Sequence, residues 1–303
     1  MIMDRQQTVS DLINERNLKP QTLLEDYLSV AVDLRKCSLM TVPAEFPDAE
    51  AIARAIDLAC ISDYRKLVLE PDMKKRAKLI ERFKRKLREV YQEKTRDSSS
   101  YRSHVMWTGH LDLQTFEVEV RPTVRELYIY MDKDVKSRLE ALSASRASFR
   151  ERFLRTAHRP LSRSVLTYPE EYFPEYVLGI GELLGYPKCC TEAYIEGRTK
   201  GNVPAEERAS RQIRTGRAQG SEPEPCAYFV RDFIPCVPTC RSAIAVGQRF
   251  FEEFDRFDSR LGEYYGECLK ANVANVESYI ETIAAHKEKM KAQAQELGIQ
   301  GLR

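Results

Sequence analysis

The chain of 303 residues has only four histidines, one tryptophan and no long apolar run. No stretch approaches the roughly 18–20 consecutive apolar residues needed to cross a bilayer as a helix. Met1 to Asn17 is polar and mixed in charge, unlike a secretory signal. The expectation is a cytoplasmic protein with no membrane partner. His104, His110, His158 and His286 are scattered, with no HxxxH pair and no cysteine at ligand spacing, so neither a histidine metal site nor a Cys-His nucleophile pair has a local signature. There is no Walker phosphate loop and no Gly-x-Ser-x-Gly elbow. Gly179-Ile180-Gly181 opens like a dinucleotide fingerprint, but Leu184 stands where the third glycine belongs. The formal net charge is only +2, so any preference for nucleic acid must come from local patches.

Helical periodicity dominates the remainder. Pro20 suits the first turn of a helix whose buried stripe runs through Leu23, Leu24, Tyr27, Leu28, Val30, Ala31 and Leu34. Pro47, Asp48 and Glu50 start a second helix that turns Ile52, Ala55, Ile56 and Ala59 inward. Cys37 and Cys60 fall near the ends of these helices and read as small buried hydrophobes. A third helix follows Pro71, with Leu79, Ile80, Phe83, Leu87, Val90 and Tyr91 on one side and many lysines and arginines on the others. Lys84, Arg85 and Lys86 are its candidate phosphate contacts. No aromatic residues are interleaved on the basic face, so base stacking has no support.

Asp97-Ser98-Ser99-Ser100 reads as a loop and a domain boundary. Beyond it Val105-Met106-Trp107, Phe116 to Val120 and Leu127 to Tyr130 fit short strands of an antiparallel sheet. Residues 133 to 153 return to helix. Residues 196 to 224, polar and rich in arginine, read as a mobile loop with a helical turn near Ala205 to Arg211. In that reading the loop is a lid that supplies Arg211 and Arg214 to a substrate. From Ser242 the chain is helical, with apolar stripes through Phe250, Phe251, Phe254, Phe257 and Leu261, then Leu269, Val273, Val276, Ile280 and Ile283.

The most informative feature is the placement of cysteine. Five of the eight cysteines, Cys189, Cys190, Cys226, Cys236 and Cys240, lie in one stretch of the chain. Pro187, Pro225, Pro235 and Pro238 stand close beside them and stiffen the backbone that presents the thiols. The stretch lacks histidine, so a metal there would be held by sulfur, as in an iron–sulfur cluster or a tetrahedral zinc site. There is no paired CxxC…CxxC. Cys236-x-x-x-Cys240 matches part of a radical-SAM triad, but Ala243 occupies the third position, which rules that pattern out. Neighbouring side chains diverge by about 100° on a helix, so one of Cys189 and Cys190 is expected to ligate together with Cys226, Cys236 and Cys240. Lys188 and Arg241 adjoin ligand candidates and would offset thiolate charge. Glu182, Glu192 and Arg241 are the candidate catalytic groups, as acids, bases or an anion clamp.

Gly181-Glu182-Leu183-Leu184-Gly185-Tyr186-Pro187-Lys188-Cys189-Cys190, followed by Phe233-Ile234-Pro235-Cys236-Val237-Pro238-Thr239-Cys240, resembles the DUF483 family, a group of mostly archaeal proteins of unknown function. The likeness covers roughly residues 175 to 255. It implies an archaeal-type cytosolic protein with a cysteine site.

The sequence therefore predicts an α+β, mainly helical protein with a small antiparallel sheet and a C-terminal helical region carrying the cysteine site. The expected divisions are residues 1–97 (helical), 98–160 (sheet plus helix) and 161–303 (cysteine-site domain). The favoured function is an iron–sulfur protein, with a 4Fe–4S cluster that would act on a small anionic or nucleic-acid-linked substrate if the protein is an enzyme. The alternative is a structural zinc protein that binds RNA or a protein partner.

Overall fold

The fold was analysed in a computed structural model, which describes residues 5–156, 168–201 and 203–296. His158 lies outside them. The chain divides into two compact units: residues 1–143 with 183–185, and residues 144–182 with 186–303.

The first unit begins with α1 (Arg5–Asn14) and α2, which consists of Pro20–Thr22, a π-helical Leu23–Leu28 and Ser29–Ala31. The expected stripe is buried, with Leu23, Leu24, Tyr27 and Leu28 almost inaccessible to solvent. Asp33 then adopts a left-handed conformation (φ 57°), which ends the helix, and the chain enters β1 (Cys37–Val42). Sequence periodicity missed this strand and left Cys37 at a helix end. The structure instead places Cys37 in the sheet, opposite Tyr130.

Next come α3 (Ala49–Leu69), α4 (Met73–Arg96) and α5 (Ser99–His110). Val105-Met106-Trp107, expected to be a strand, lies within α5. Ser98 caps that helix by accepting from the Tyr101 N–H, and burial falls on Ser100, Ser103, His104, Trp107 and Thr108, a helical stripe. Val105 and Met106 face solvent. Only Trp107 of the three is in the core, which is why an apolar triplet misled a reading based on strand runs.

Two strands complete the sheet, β2 (Gln114–Arg121) and β3 (Val124–Tyr130), in the antiparallel order β1-β3-β2. Met40 opposes Leu127, and Phe116 opposes Tyr128. The unbroken apolar run of β3 suits a central strand, and Leu127 to Tyr130 are all buried. β2 lies at an edge and is largely exposed, as its alternating Phe116-Glu117-Val118-Glu119 sequence anticipates. α6 (Lys133–Thr156) follows.

The second unit contains α7 (Pro174–Leu183), α8 (Lys188–Glu196), α9 (Ala205–Ala218), α10 (Arg241–Phe257), α11 (Ser259–Glu277) and α12 (Tyr279–Glu296). The segment expected to be a mobile loop contains α9 and a short π-helical turn, Gly197–Gly201. Glu206 and Glu207 sit in its positive first turn and Arg217 in its last, where each charge favours the helix dipole. Ala205, Ala209 and Ile213 form its buried stripe. Small residues make up most of that stripe, so it gives a weak signal in the sequence.

An aromatic core holds the unit together. Phe229 packs against Phe233 and Phe250, with ring centroids 4.4 and 5.6 Å apart, and Phe254 meets Tyr265 edge-on at 5.0 Å. The Tyr265 hydroxyl donates to the Phe229 carbonyl, and Asn272 Nδ2 donates to the Tyr228 carbonyl. These bonds fix the course of residues 225–233 against α11. Among the described residues, no helix is long and apolar enough to cross a membrane.

Candidate metal centre

Local chemistry explains how the two cysteine segments meet. α7 is followed by Gly185, whose positive φ of 74° suits the left-handed position after a helix. The Tyr186 N–H reaches back to the Gly181 carbonyl at 2.8 Å, the longer bond of a Schellman turn. Pro187 then stands at the N-cap of α8, so Cys189 and Cys190 fall in the first turn of that helix. A side chain at Gly181 would collide with Thr191, so the glycine allows α7 and α8 to approach closely. Tyr186 also packs on Phe233 at 4.9 Å, which joins the Gly-Tyr-Pro segment to the Phe-Ile-Pro-Cys segment.

The second segment turns tightly through residues 236–240, where the Cys240 N–H donates to the Val237 carbonyl. Cys240 itself is the N-cap of α10. Two helix N-termini therefore converge on one point, each bringing partial positive charge. Such surroundings favour anionic sulfur.

The sulfurs of Cys189, Cys190, Cys236 and Cys240 all lie within 4.8 Å of one another. Cys189 Sγ is 3.8 Å from Cys190 Sγ and 3.7 Å from Cys240 Sγ, and Cys190 Sγ is 3.6 Å from Cys240 Sγ. The Cys236 N–H donates to Cys190 Sγ at 3.4 Å. Cys190 and Cys240 are buried, Cys236 is half-buried and Cys189 is exposed. Four close thiols of this kind can hold a metal ion.

Burial pushes the Cys190 and Cys236 thiols above their ordinary range. Burial acts in the same direction on Cys240, but hydrogen bonds from the Ala243 N–H and the neighbouring thiols outweigh it and bring that thiol down. The N-cap position thus makes Cys240 the readiest of these three to ionise.

The site differs from the expected ligand set in two ways. Both members of the Cys189-Cys190 pair join the group, and Cys226 does not. Cβ atoms lean towards a helix N-terminus, so side chains of different azimuth can converge on a point beyond its end. The 100° divergence governs a site on the side of a helix, not one at its tip. Cys226 lies in the short 3-10 turn Pro225–Tyr228, and its backbone packs against α10 at Gly247, where any side chain would overlap the Cys226 carbonyl.

The remaining candidates are peripheral. Glu192 pairs with Lys188 at 3.7 Å on the exposed side of α8, and Glu182 and Arg241 are exposed. Arg211 pairs with Glu207, and Arg214 pairs with Glu281 and donates to the Glu277 carbonyl. Those two arginines are tied within the helical unit. A residue the sequence did not single out lies closer: Arg208 of α9 donates to the carbonyls of Ala193 and Pro235. Gln212, one turn later, donates to the Cys236 carbonyl at 3.5 Å. No motif distinguishes Arg208 from the other arginines of its helix.

Cys37, Cys60 and Cys268 are buried apart from this group, as small hydrophobes. Burial raises the Cys37 thiol to about 12. Gly179 and Gly181 lie inside α7, not in a phosphate-binding turn.

Comparison with known families then gives one match. Residues 151–265 match the model of DUF483, described as a protein of unknown function. The DUF483 match takes in both cysteine segments together with α9, which carries Arg208. It agrees with the resemblance of the Gly-Tyr-Pro-Lys-Cys-Cys segment to that family. No curated protein and no solved structure matches the chain.

Proposed function

We propose that this protein binds one zinc ion through Cys189, Cys190, Cys236 and Cys240, and that the ion fastens two distant stretches of the helical unit. The sulfur spacing carries this reading. Four thiolates at the usual zinc–sulfur distance of about 2.3 Å stand about 3.8 Å apart around a tetrahedral ion. The separations among Cys189, Cys190 and Cys240 are 3.6 to 3.8 Å, and the Cys236 sulfur lies within 4.8 Å of each. The iron–sulfur reading favoured by the sequence fits less well, because a cubane puts each thiolate on a different iron and spreads the sulfurs further apart.

The chemistry of the donors supports the same choice. Four protein ligands leave no open position, which is the pattern of structural rather than catalytic zinc. A zinc tetrathiolate carries two negative charges. The N-termini of α8 and α10, with Lys188 and Arg241 at the rim, supply compensating charge. The eight unpaired thiols support a reducing compartment such as the cytoplasm.

Metal and sulfide analysis of anaerobically purified protein tests the proposal. About one zinc per chain, no acid-labile sulfide and a colourless solution are expected. Brown protein that contains iron and sulfide would replace zinc with a cluster.

A further inference from the structure

The helical hairpin of the first unit carries a surface that its packing does not use. The residues buried in α3 are Ile52, Ile56 and Cys60, and those in α4 are Tyr91 and Thr95. No residue from Ile61 to Val90 is buried. At its base, the Tyr91 hydroxyl donates to the Val42 carbonyl of β1. Further out the two helices pack mainly on each other, as where Tyr64 meets Phe83 at 6.1 Å. Beyond its base the hairpin is therefore an arm rather than core.

Lys75, Lys78, Arg82 and Arg85 recur along α4 at helical spacing. At 100° per residue they fall within about 80° of one another and span about 15 Å. All four are exposed and none makes an ion pair among the described residues, although Arg82 lies in the field of Asp63. Glu89 lies beyond the last of them. Three neighbouring cations are engaged: Lys84 pairs with Glu81, Lys86 with Asp63 and Arg88 with Glu119. The structure thus moves the basic feature from Lys84-Arg85-Lys86 to a four-residue row that shares only Arg85 with it.

We propose that this row is a docking surface for the sugar–phosphate backbone of duplex nucleic acid. Side chains three and four apart on a helix are about 5–6 Å apart at Cβ, on the scale of neighbouring phosphates along a strand. The row and its flanking Lys74, Glu81 and Glu89 are all charged. It lacks the apolar or aromatic anchor on which a protein interface centres. Between Lys75 and Glu89 this face carries no exposed aromatic residue to stack unpaired bases and no Asn or Gln to read base edges. A membrane surface would call for exposed apolar residues, and those of α4, Met73 and Ile80, lie on the opposite side of the helix from the row. A paired, regular polyanion bound without regard to sequence remains. This surface is independent of the thiolate site.

The test uses the full-length chain and short fluorescein-labelled duplexes of DNA and of RNA, followed by anisotropy across a salt series. The wild-type protein should bind at least one duplex. Replacing Lys75, Lys78, Arg82 and Arg85 together by Gln should weaken binding by about tenfold or more at low salt and cut the salt slope by about three to four. Lys84→Gln with Lys86→Gln should change the slope by less than half as much. Circular dichroism of the fourfold variant confirms that its helices are intact. Equal binding by the fourfold variant overturns the proposal. So does binding only to single strands, to anionic vesicles or to an acidic polypeptide such as polyglutamate.

Discussion

Arg208 Nη1 donates to the main-chain carbonyl of Ala193 across 3.1 Å. Its other terminal nitrogen reaches the Pro235 carbonyl at 3.5 Å. Ala193 belongs to the helix that carries Cys189 and Cys190, and Pro235 precedes Cys236. One guanidinium therefore spans the two stretches that supply the sulfurs. Outer partners of metal ligands commonly contribute about 10–100-fold to metal affinity. Arg208→Met should speed zinc transfer to a chromophoric chelator within that range, and Arg208→Lys, a shorter single point of charge, should restore only part of it. A variant that melts earlier yet holds zinc as tightly as wild type would reduce Arg208 to a packing role.

Serine substitutions separate the ligands from the bystander. Cys190→Ser, Cys236→Ser and Cys240→Ser should each lower bound zinc well below one per chain. Cys226→Ser should keep the full complement, because its sulfur is outside the group. Metal analysis after gel filtration reads both outcomes. Zinc loss in the Cys226 variant would restore the ligand set expected from sequence alone.

Gly247→Ala should be severe for so small a change. The added methyl would overlap the Cys226 carbonyl, which is backbone and has little freedom to move. Overpacking in a core costs about 1–3 kcal/mol, and the upper end is expected here. Urea denaturation of the zinc-loaded protein measures it. A loss below 1 kcal/mol would mean that α10 and the Pro225–Tyr228 turn separate easily.

His104 should make the first unit sensitive to acid. It is buried against Tyr27, whose hydroxyl lies 2.8 Å from Nδ1. Burial lowers its pKa from 6.5 to about 4. The unfolded chain therefore takes up the proton first. Stability is lost as pH falls from 6.5 and levels off near 4, with a slope of at most about 1.4 kcal/mol per pH unit. His104→Gln removes this component. The difference in unfolding free energy between variant and wild type should shift towards the variant between pH 7 and pH 5, whereas a constant difference would rule out titration of His104.

The cysteine segments were legible because clustered soft ligands, prolines and a lack of histidine coincide there. The sheet was legible where a strand alternates, as at Phe116 to Val120, or runs apolar, as at Leu127 to Tyr130. It was not legible at Cys37 to Val42, where the stripe of the preceding helix runs into a short strand and only the backbone turn at Asp33 separates them. α9 was legible only as a helical turn near Ala205 to Arg211, because Ala205 and Ala209 bury little surface each. That both Cys189 and Cys190 approach Cys240 while Cys226 stands apart depends on where the helix ends relative to the sulfurs, which residue spacing does not encode.

Cys189 has an exposed side chain, whereas Cys190 and Cys240 are withdrawn behind it. The proposed ion thus has a front and a back. Chelators, peroxide and competing metals would all arrive at the same sulfur, and release would start with one bond opening towards water while the rest of the clasp stayed closed. A fastening built this way comes undone from one side, in an order that the burial of its ligands sets.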